Sequence, residues 1–407
     1  MSQTKDEATP ANRIRGEMAG PLSKWRPLRY KRELALAVVL LIASHVFVQT
    51  FANIAHWELG LTGGSKLAVA QLERCNDGTG RRLAEACQMD CCWYSSIVRE
   101  GYDREPVYGG GYRANWNFFP LFPLFAEPWY HTLFRESTHA TVFTSKVLLY
   151  FAIVAFLFMV RSQSESFGDA VLAGALVAFN PAIIYAHGGY AEPLYFAITA
   201  TGLALLDRQR WVEAGVAGGL LSATRMVGVV FGVAYAIAAL RSGALRRMWK
   251  DRRLGVLVGA LLCPAGLSLF VLYLYRHTGD ALASVHIYVG WRLSAGNPMS
   301  VVWQALLAEG WLRFWAWVAI AGWGVSAWLV TQRQYEKAAF LALAILVPAT
   351  AEVYGMQRFV WWQPPTLYAA FLLLKRHPRL RAPYFVFTGG MAAALTLLWF
   401  LGGRSIV

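Results

Sequence analysis

Long apolar runs, separated by short polar and mostly basic segments, set the pattern of this chain. A helix needs about 17–25 predominantly apolar residues to cross a bilayer. Runs of that character fall at 34–55, 141–160, 169–186, 190–206, 211–224, 226–240, 254–275, 311–330, 337–353, 359–374 and 383–401. They predict an all-α polytopic membrane protein with about 11 transmembrane helices. The pair 211–224 and 226–240 is short and interrupted by Arg225. It predicts two broken helices meeting at a turn, which are tolerated where they line a cavity. Two long loops remain, a large one at 57–140 and a second at 276–310. No inverted repeat relates the two halves of the chain.

Composition sharpens this picture. Apolar residues make up 57% and charged residues 15%, against about 45–50% and 25% in soluble domains. A disordered chain, a disulfide miniprotein and an ordinary cytosolic enzyme are thereby excluded. The net charge of +14 would suggest nucleic acid in a soluble protein. In a membrane protein it is first a topology signal, because basic residues gather in cytoplasmic loops, so no nucleic-acid partner is expected. With a cytoplasmic N-terminus, segments 1–33, 161–168, 207–210, 241–253, 331–337 and 375–382 carry 23 of the 38 Lys and Arg residues. Fusing 211–240 into one span would move Arg241, Arg246, Arg247, Lys250, Arg252 and Arg253 to the outer side, against that bias.

The expected organisation is a basic cytoplasmic tail, 1–33, and a single transmembrane domain, 34–401. Loops 57–140 and 276–310 are external, and 402–407 form a short external tail. No small-residue cleavage site follows the first apolar run, which therefore reads as an anchor.

Four of the five cysteines, Cys75, Cys87, Cys91 and Cys92, lie in the first external loop. An even cluster on the oxidising side predicts up to two disulfides, with three connectivities open. A zinc site at Cys87 and Cys91 is the rival, but no histidine lies close in sequence. Cys263 falls within a span and reads as a packing residue.

Ionisable residues at membrane depth or at span edges are functional candidates by default. Asp90, Glu192, Arg225, Asp280 and Arg358 all map to the external side, as do His187, His277 and His286. Residues 89–102 have helical spacing, with Trp93, Ile97 and Gly101 on one face and Tyr94 and Val98 alongside, and predict an amphipathic interfacial helix. Asp90 stands at its first turn, where a carboxylate either caps the helix or does chemistry. The aromatic run Asn115 to Leu124 contains Pro120 and Pro123, which argue against a regular helix across it.

These residues resemble the signature of the PIG-V family, the GPI mannosyltransferase 2 enzymes and their bacterial relatives among the GT-C glycosyltransferases. The likeness starts with Asp90, Trp93-Tyr94, Ile97 and Gly101-Tyr102, followed by Asn115 to Pro123. Asn180-Pro181 with Tyr190-Ala191-Glu192, Thr224-Arg225 with Gly228, and Gly279-Asp280 with Ala283 follow in order. Gln357-Arg358-Phe359 ahead of Pro364-Pro365 closes the series, so that the likeness spans about 85–370. Met89 stands where the family has Trp, Met226 where it has Pro, and Leu282-Ala283-Ser284 with His286 depart near Asp280.

The resemblance implies a GT-C-type fold and transfer of a hexose, mannose in the family's case. The donor would be a polyprenyl-phosphate sugar and the acceptor a lipid-linked or cell-envelope glycan, on the external face. Such a transfer needs a carboxylate base, donors for the departing phosphate and exclusion of water. By resemblance Asp90 is the base. Arg225 and Arg358 are the phosphate ligands, because guanidinium is always charged and binds phosphate bidentately. Glu192, Asp280, Tyr94, Tyr190 and Asn115 are assigned to acceptor or sugar hydroxyls. No cofactor is expected; a divalent metal, if bound, would sit between Asp90 and Asp103 or Glu105. Gly109-Gly110-Gly111 lacks the context of a phosphate-cradling loop and reads as a gating loop. The short N-terminus suits a bacterial inner membrane, with the ER membrane as the eukaryotic counterpart. A lipid transporter or flippase and a non-catalytic envelope scaffold are the rival readings.

Overall fold

The computed structural model describes residues 27–57, 86–108, 112–164, 166–251, 254–290 and 296–400. Cys75, the glycine run 109–111, most of the N-terminal tail and the tail 402–407 lie outside the described residues. The fold is helical, with one minimal antiparallel ladder between β1 (Val107–Tyr108) and β2 (Tyr112–Arg113).

Helices stand at every one of the eleven apolar segments. First come α1 (Pro27–Trp57), α2 (Asp90–Glu100), α3 (Leu121–Trp129), α4 (Ser137–Val160), α5 (Phe167–Ala178) and α6 (Ile184–His187). Then follow α7 (Glu192–Asp207), α8 (Trp211–Ser222), α9 (Phe231–Arg241), α10 (Ala244–Asp251), α11 (Gly255–Leu262) and α12 (Ala265–Thr278). The chain ends through α13 (Ala283–Gly290), α14 (Pro298–Leu307), α15 (Trp311–Thr331), α16 (Tyr335–Ala349), α17 (Met356–Trp361), α18 (Pro364–Arg376) and α19 (Arg381–Phe400). Among the described residues, only α1, α4, α15 and α19 are long and apolar enough to cross a membrane alone, with α11–α12 as a fifth if that bent pair is one span. The chain is thus a helical membrane protein, and the count of eleven full-length spans is not reproduced among the described residues.

The reason lies in the breaks. The expected span 169–186 stops at Ala178, because Asn180 Oδ1 accepts the backbone N–H of Ala182 at 2.7 Å and turns the chain. The span 254–275 bends at Cys263-Pro264, where proline removes an N–H. Between α8 and α9 the chain turns at 223–225, as the charge pattern predicts, with Arg225 extended. The aromatic run behaves differently from expectation. Helix α3 begins directly after Pro120 and passes through Pro123. A first-turn proline is tolerated because its missing N–H would have had no intrahelical acceptor. The run is also tied to the Arg225 turn, since the Leu121 N–H donates to the Ala223 carbonyl at 3.1 Å.

Packing is close where small residues meet. A Cβ on Gly215 of α8 would fall 2.2 Å from the Gly259 carbonyl oxygen of α11, the contact that lets membrane helices approach without a large apolar driving force. Helices α4 and α7 pack along their lengths. Helix α7 carries Glu192 as its first residue and Asp207 as its last, about 22 Å apart at the helical rise. At the Asp207 end Lys337 reaches that carboxylate at 2.9 Å, and Arg241–Glu336 and Arg161–Glu33 add further pairs. At the Glu192 end lies the cluster described next.

Candidate functional site

Asp90 opens α2, following Met89, whose φ of 52° is left-handed. Asp90 is the acidic residue of the first helical turn. Its carboxylate pairs with Arg358 Nη1. The same Nη1 lies 3.6 Å from Glu192 Oε1, and Arg225 Nη1 donates to Glu192 Oε1 at 2.6 Å. Four residues from four separate segments thereby alternate in sign: Asp90, Arg358, Glu192, Arg225.

Burial grades along this line. The Glu192 side chain is 2% exposed, Arg358 11%, Arg225 17% and Asp90 25%. A carboxylate as buried as Glu192 is tolerated only when paired, and two guanidiniums supply that. Asp90 is the member open to an arriving ligand.

Aromatic rings fix the cations. The Arg225 and Arg358 guanidiniums lie 5.0 and 5.9 Å from the Phe359 ring centre, so that one ring serves both. Arg358 also lies 5.4 Å from Tyr185 and 5.6 Å from Tyr190, within cation–π range. Gln357 Nε2 donates to the Tyr185 hydroxyl at 2.5 Å and anchors that ring. Gly355 precedes α17 with φ of 71°, a conformation that suits glycine. The Arg358 Nε is buried and has no hydrogen-bond partner among the described residues.

The remaining expected site residues divide. Tyr94 is buried and within electrostatic range of Arg225, Asp90, Glu192 and Arg358. Tyr190 is fully buried; its hydroxyl donates to the Gln88 carbonyl at 3.0 Å and accepts the Asp90 N–H at 3.3 Å. It holds the backbone of Asp90 in place and offers no face to a sugar. Glu192, assigned to hydroxyl binding, is committed to the arginines. Asn115 is also committed, because its side chain accepts the Asp103 N–H at 3.0 Å and donates to the Gly101 carbonyl at 3.1 Å.

Asp103 accepts the Asn115 N–H in return, and among the described residues no group of three His, Cys, Asp or Glu could hold a metal. Asp280 pairs with His286 Nδ1 at 2.7 Å. That hydrogen bond, with one from the Leu282 N–H, holds the Asp280 carboxyl below its usual range despite some burial. The three histidines do not gather: His187 meets Ser44, His277 meets the Tyr102 carbonyl and His286 meets Asp280.

Helix α2 exists as the spacing predicts: Tyr94, Ile97 and Val98 of the expected face are buried with Cys91, Cys92 and Ser95, while Trp93 is half-buried and Gly101 is the exposed C-terminal cap. Tyr94 packs edge-on to Phe118 and Phe122, which joins α2 to the aromatic run. Cys87 and Cys91 form a disulfide across the entrance to the helix, and Cys92 is buried beside them. Sequence reading missed Glu352. It follows α16 and lies within electrostatic range of Arg358 and Asp90. No local pattern marks it, because its neighbours come from far along the chain.

No protein-family model and no curated protein matches the sequence. Among solved structures, the chain is similar to the Archaeoglobus fulgidus oligosaccharyltransferase in its apo form, at TM-score 0.44 and 14% identity over 91% of this chain and 55% of that chain. It is similar to that oligosaccharyltransferase in complex with zinc and sulfate, at TM-score 0.40 and 16% identity over 75% and 48%. The archaeal oligosaccharyltransferase AglB from Archaeoglobus fulgidus, in complex with an inhibitory peptide and a dolichol-phosphate, gives TM-score 0.42 and 13% identity over 91% and 56%. The chain spans about half the length of these structures.

Proposed function

We propose that the chain is a membrane glycosyltransferase of GT-C type with about 11 membrane passes, several of them broken. It transfers a hexose, mannose by the PIG-V resemblance, from a polyprenyl-phosphate donor to a lipid-linked or cell-envelope glycan. Transfer takes place on the external face, in a bacterial inner membrane or the equivalent ER face. The observation that carries this reading is the Asp90–Arg358 pair, in which a part-exposed carboxylate faces a guanidinium whose Nε is unpartnered.

The chemistry follows from that pair. At rest Arg358 occupies the Asp90 carboxylate as its ion-pair partner. A lipid phosphate arriving at Arg358 and Arg225 competes for the guanidinium and frees Asp90 to accept the proton of an acceptor hydroxyl. The acceptor oxygen then bonds to the anomeric carbon as the bond from that carbon to the phosphate oxygen breaks. Lipid phosphate leaves, held by the arginines. Glu192 stays behind as the counter-ion that keeps two buried arginines tolerable.

An open, mainly apolar cavity of about 520 Å³, lined also by Glu33, Arg161 and Glu213, lies toward the Asp207 end of α7, away from the Asp90 cluster. It runs along α7, the helix that begins with Glu192, between Ile198 and Leu205, and α4 and α8 close its sides.

The test is transfer from radiolabelled polyprenyl-phosphate mannose by the full chain and by Asp90→Asn. The variant should lose about 10²–10⁴-fold, the usual worth of a general base. Full transfer by that variant would overturn the role of Asp90. Absence of transfer by the unmodified chain from mannose, glucose and arabinose donors would overturn the reading as a whole, in favour of a transporter or scaffold.

A further inference from the structure

Lys146 lies within the spanning helix α4, half-buried. It is the tenth residue of that helix, about 14 Å from the helix start at the helical rise. Two histidines from other helices, His45 of α1 and His187 of α6, lie within its electrostatic range. The His45 and His187 rings stack with centres 5.7 Å apart, and Ser44 Oγ lies 3.0 Å from His187 Nε2.

This group has an excess of positive and donor character. No carboxylate among the described residues acts on Lys146. His187 is 3% exposed, and its Nδ1 is buried without a hydrogen-bond partner. When Ser44 donates to Nε2, that Nδ1 carries the hydrogen and is a donor with nothing to meet. Ser145 offers no relief, because its hydroxyl points to the Tyr185 and Tyr190 carbonyls at 3.4 and 3.0 Å. His45 is exposed on α1, so the cluster opens sideways toward the bilayer.

A lysine at membrane depth without a counter-charge is costly and marks a functional place. We propose that Lys146, His45 and His187 bind the phosphate headgroup of an anionic lipid that enters from the bilayer between α1 and α4. The phosphate supplies the missing negative charge. It also gives the histidine donors charge-assisted partners. A long lysine side chain can reach toward a headgroup drawn down beside it. The site shares no side chain with the Asp90 cluster and does not depend on the transfer reaction.

Native mass spectrometry of the full chain in neutral detergent, doped with phosphatidylglycerol, tests this. The unmodified chain should retain one tightly bound phosphatidylglycerol. Lys146→Met should weaken that binding about tenfold, the scale of one charged hydrogen bond, and Lys146→Arg should preserve it. Inorganic phosphate at equal concentration should not displace the lipid. Equal retention by Lys146→Met, or displacement by inorganic phosphate alone, would overturn the proposal. If Lys146→Met does not fold, His45→Gln on the exposed face of α1 gives the same readout. Undiminished lipid binding by that variant overturns the proposal as well.

Discussion

The guanidinium of Arg358 is paired with the carboxylate of Asp90 across 268 residues of chain. Each neutralises the group that the other would offer to a substrate. In the proposed transfer, catalysis begins with an exchange of partners, and both residues should be felt in the kinetics of donor binding.

Arg358→Lys keeps the charge and loses the planar fork that addresses Asp90 and Glu192 together. Donor KM should rise and kcat/KM should fall by about tenfold or more, the worth of a charged hydrogen bond. Steady-state transfer at varied donor concentration reads this directly. Unchanged donor saturation in the lysine variant would remove Arg358 from the phosphate site.

Glu192→Gln leaves two guanidiniums facing each other with their buried counter-ion gone. The folded state should lose about 3–5 kcal/mol, as when one member of a buried pair is removed. Thermal unfolding in detergent measures it. Adding Arg225→Gln to the same chain should recover part of the loss, since the excess charge is then removed. Strict additivity of the two single effects would show that the pair is not coupled.

Gly228→Ala tests the turn that carries Arg225. The new Cβ would lie 2.1 Å from the Leu221 carbonyl oxygen and 2.9 Å from the Ser222 nitrogen. Both are backbone atoms and cannot swing aside. A cost of about 1–3 kcal/mol is expected from overpacking, with transfer falling further because Arg225 shifts. Wild-type melting and activity in this variant would contradict the packing described here.

Asp280 carries a pH prediction. Its carboxyl is held below the usual range, first by His286 and then by the Leu282 N–H. A depressed carboxylate contributes stability that is present above its unfolded value and lost as pH falls through the folded value. The melting temperature of Asp280→Asn should therefore lie below that of the unmodified chain at neutral pH. The gap should close in acid, once the carboxylate of the unmodified chain is protonated. A gap that persists at low pH would locate the effect elsewhere.

Much of this arrangement is legible in the sequence, for a physical reason. Apolar runs, basic loops and charged residues at span edges each obey a one-dimensional rule, and those rules find α1, α4, α15 and α19 and single out Asp90, Glu192, Arg225 and Arg358. What the rules miss is lateral pairing. Glu192 and Tyr190 look like sugar ligands by motif, yet their polar atoms are taken by Arg225 and by the backbone around Asp90. Helix α14 lies inside the presumed loop 276–310, because a ten-residue helix is too short to register as a span. Lys146 disappears into an apolar run, since one charge scarcely changes the average over 24 residues.

The alternation of two acids with two bases has a consequence for how the reaction fits a dry environment. The four side chains together are neutral, so a singly charged phosphodiester donor fixes the total for the occupied site. In the proposed transfer, Asp90 takes the acceptor proton while the leaving lipid phosphate gains the charge that the carboxylate gives up, and that total stays constant. No ion has to be drawn from water during the chemical step. Turnover should accordingly be insensitive to the membrane potential, which acts only on charge that moves across the bilayer.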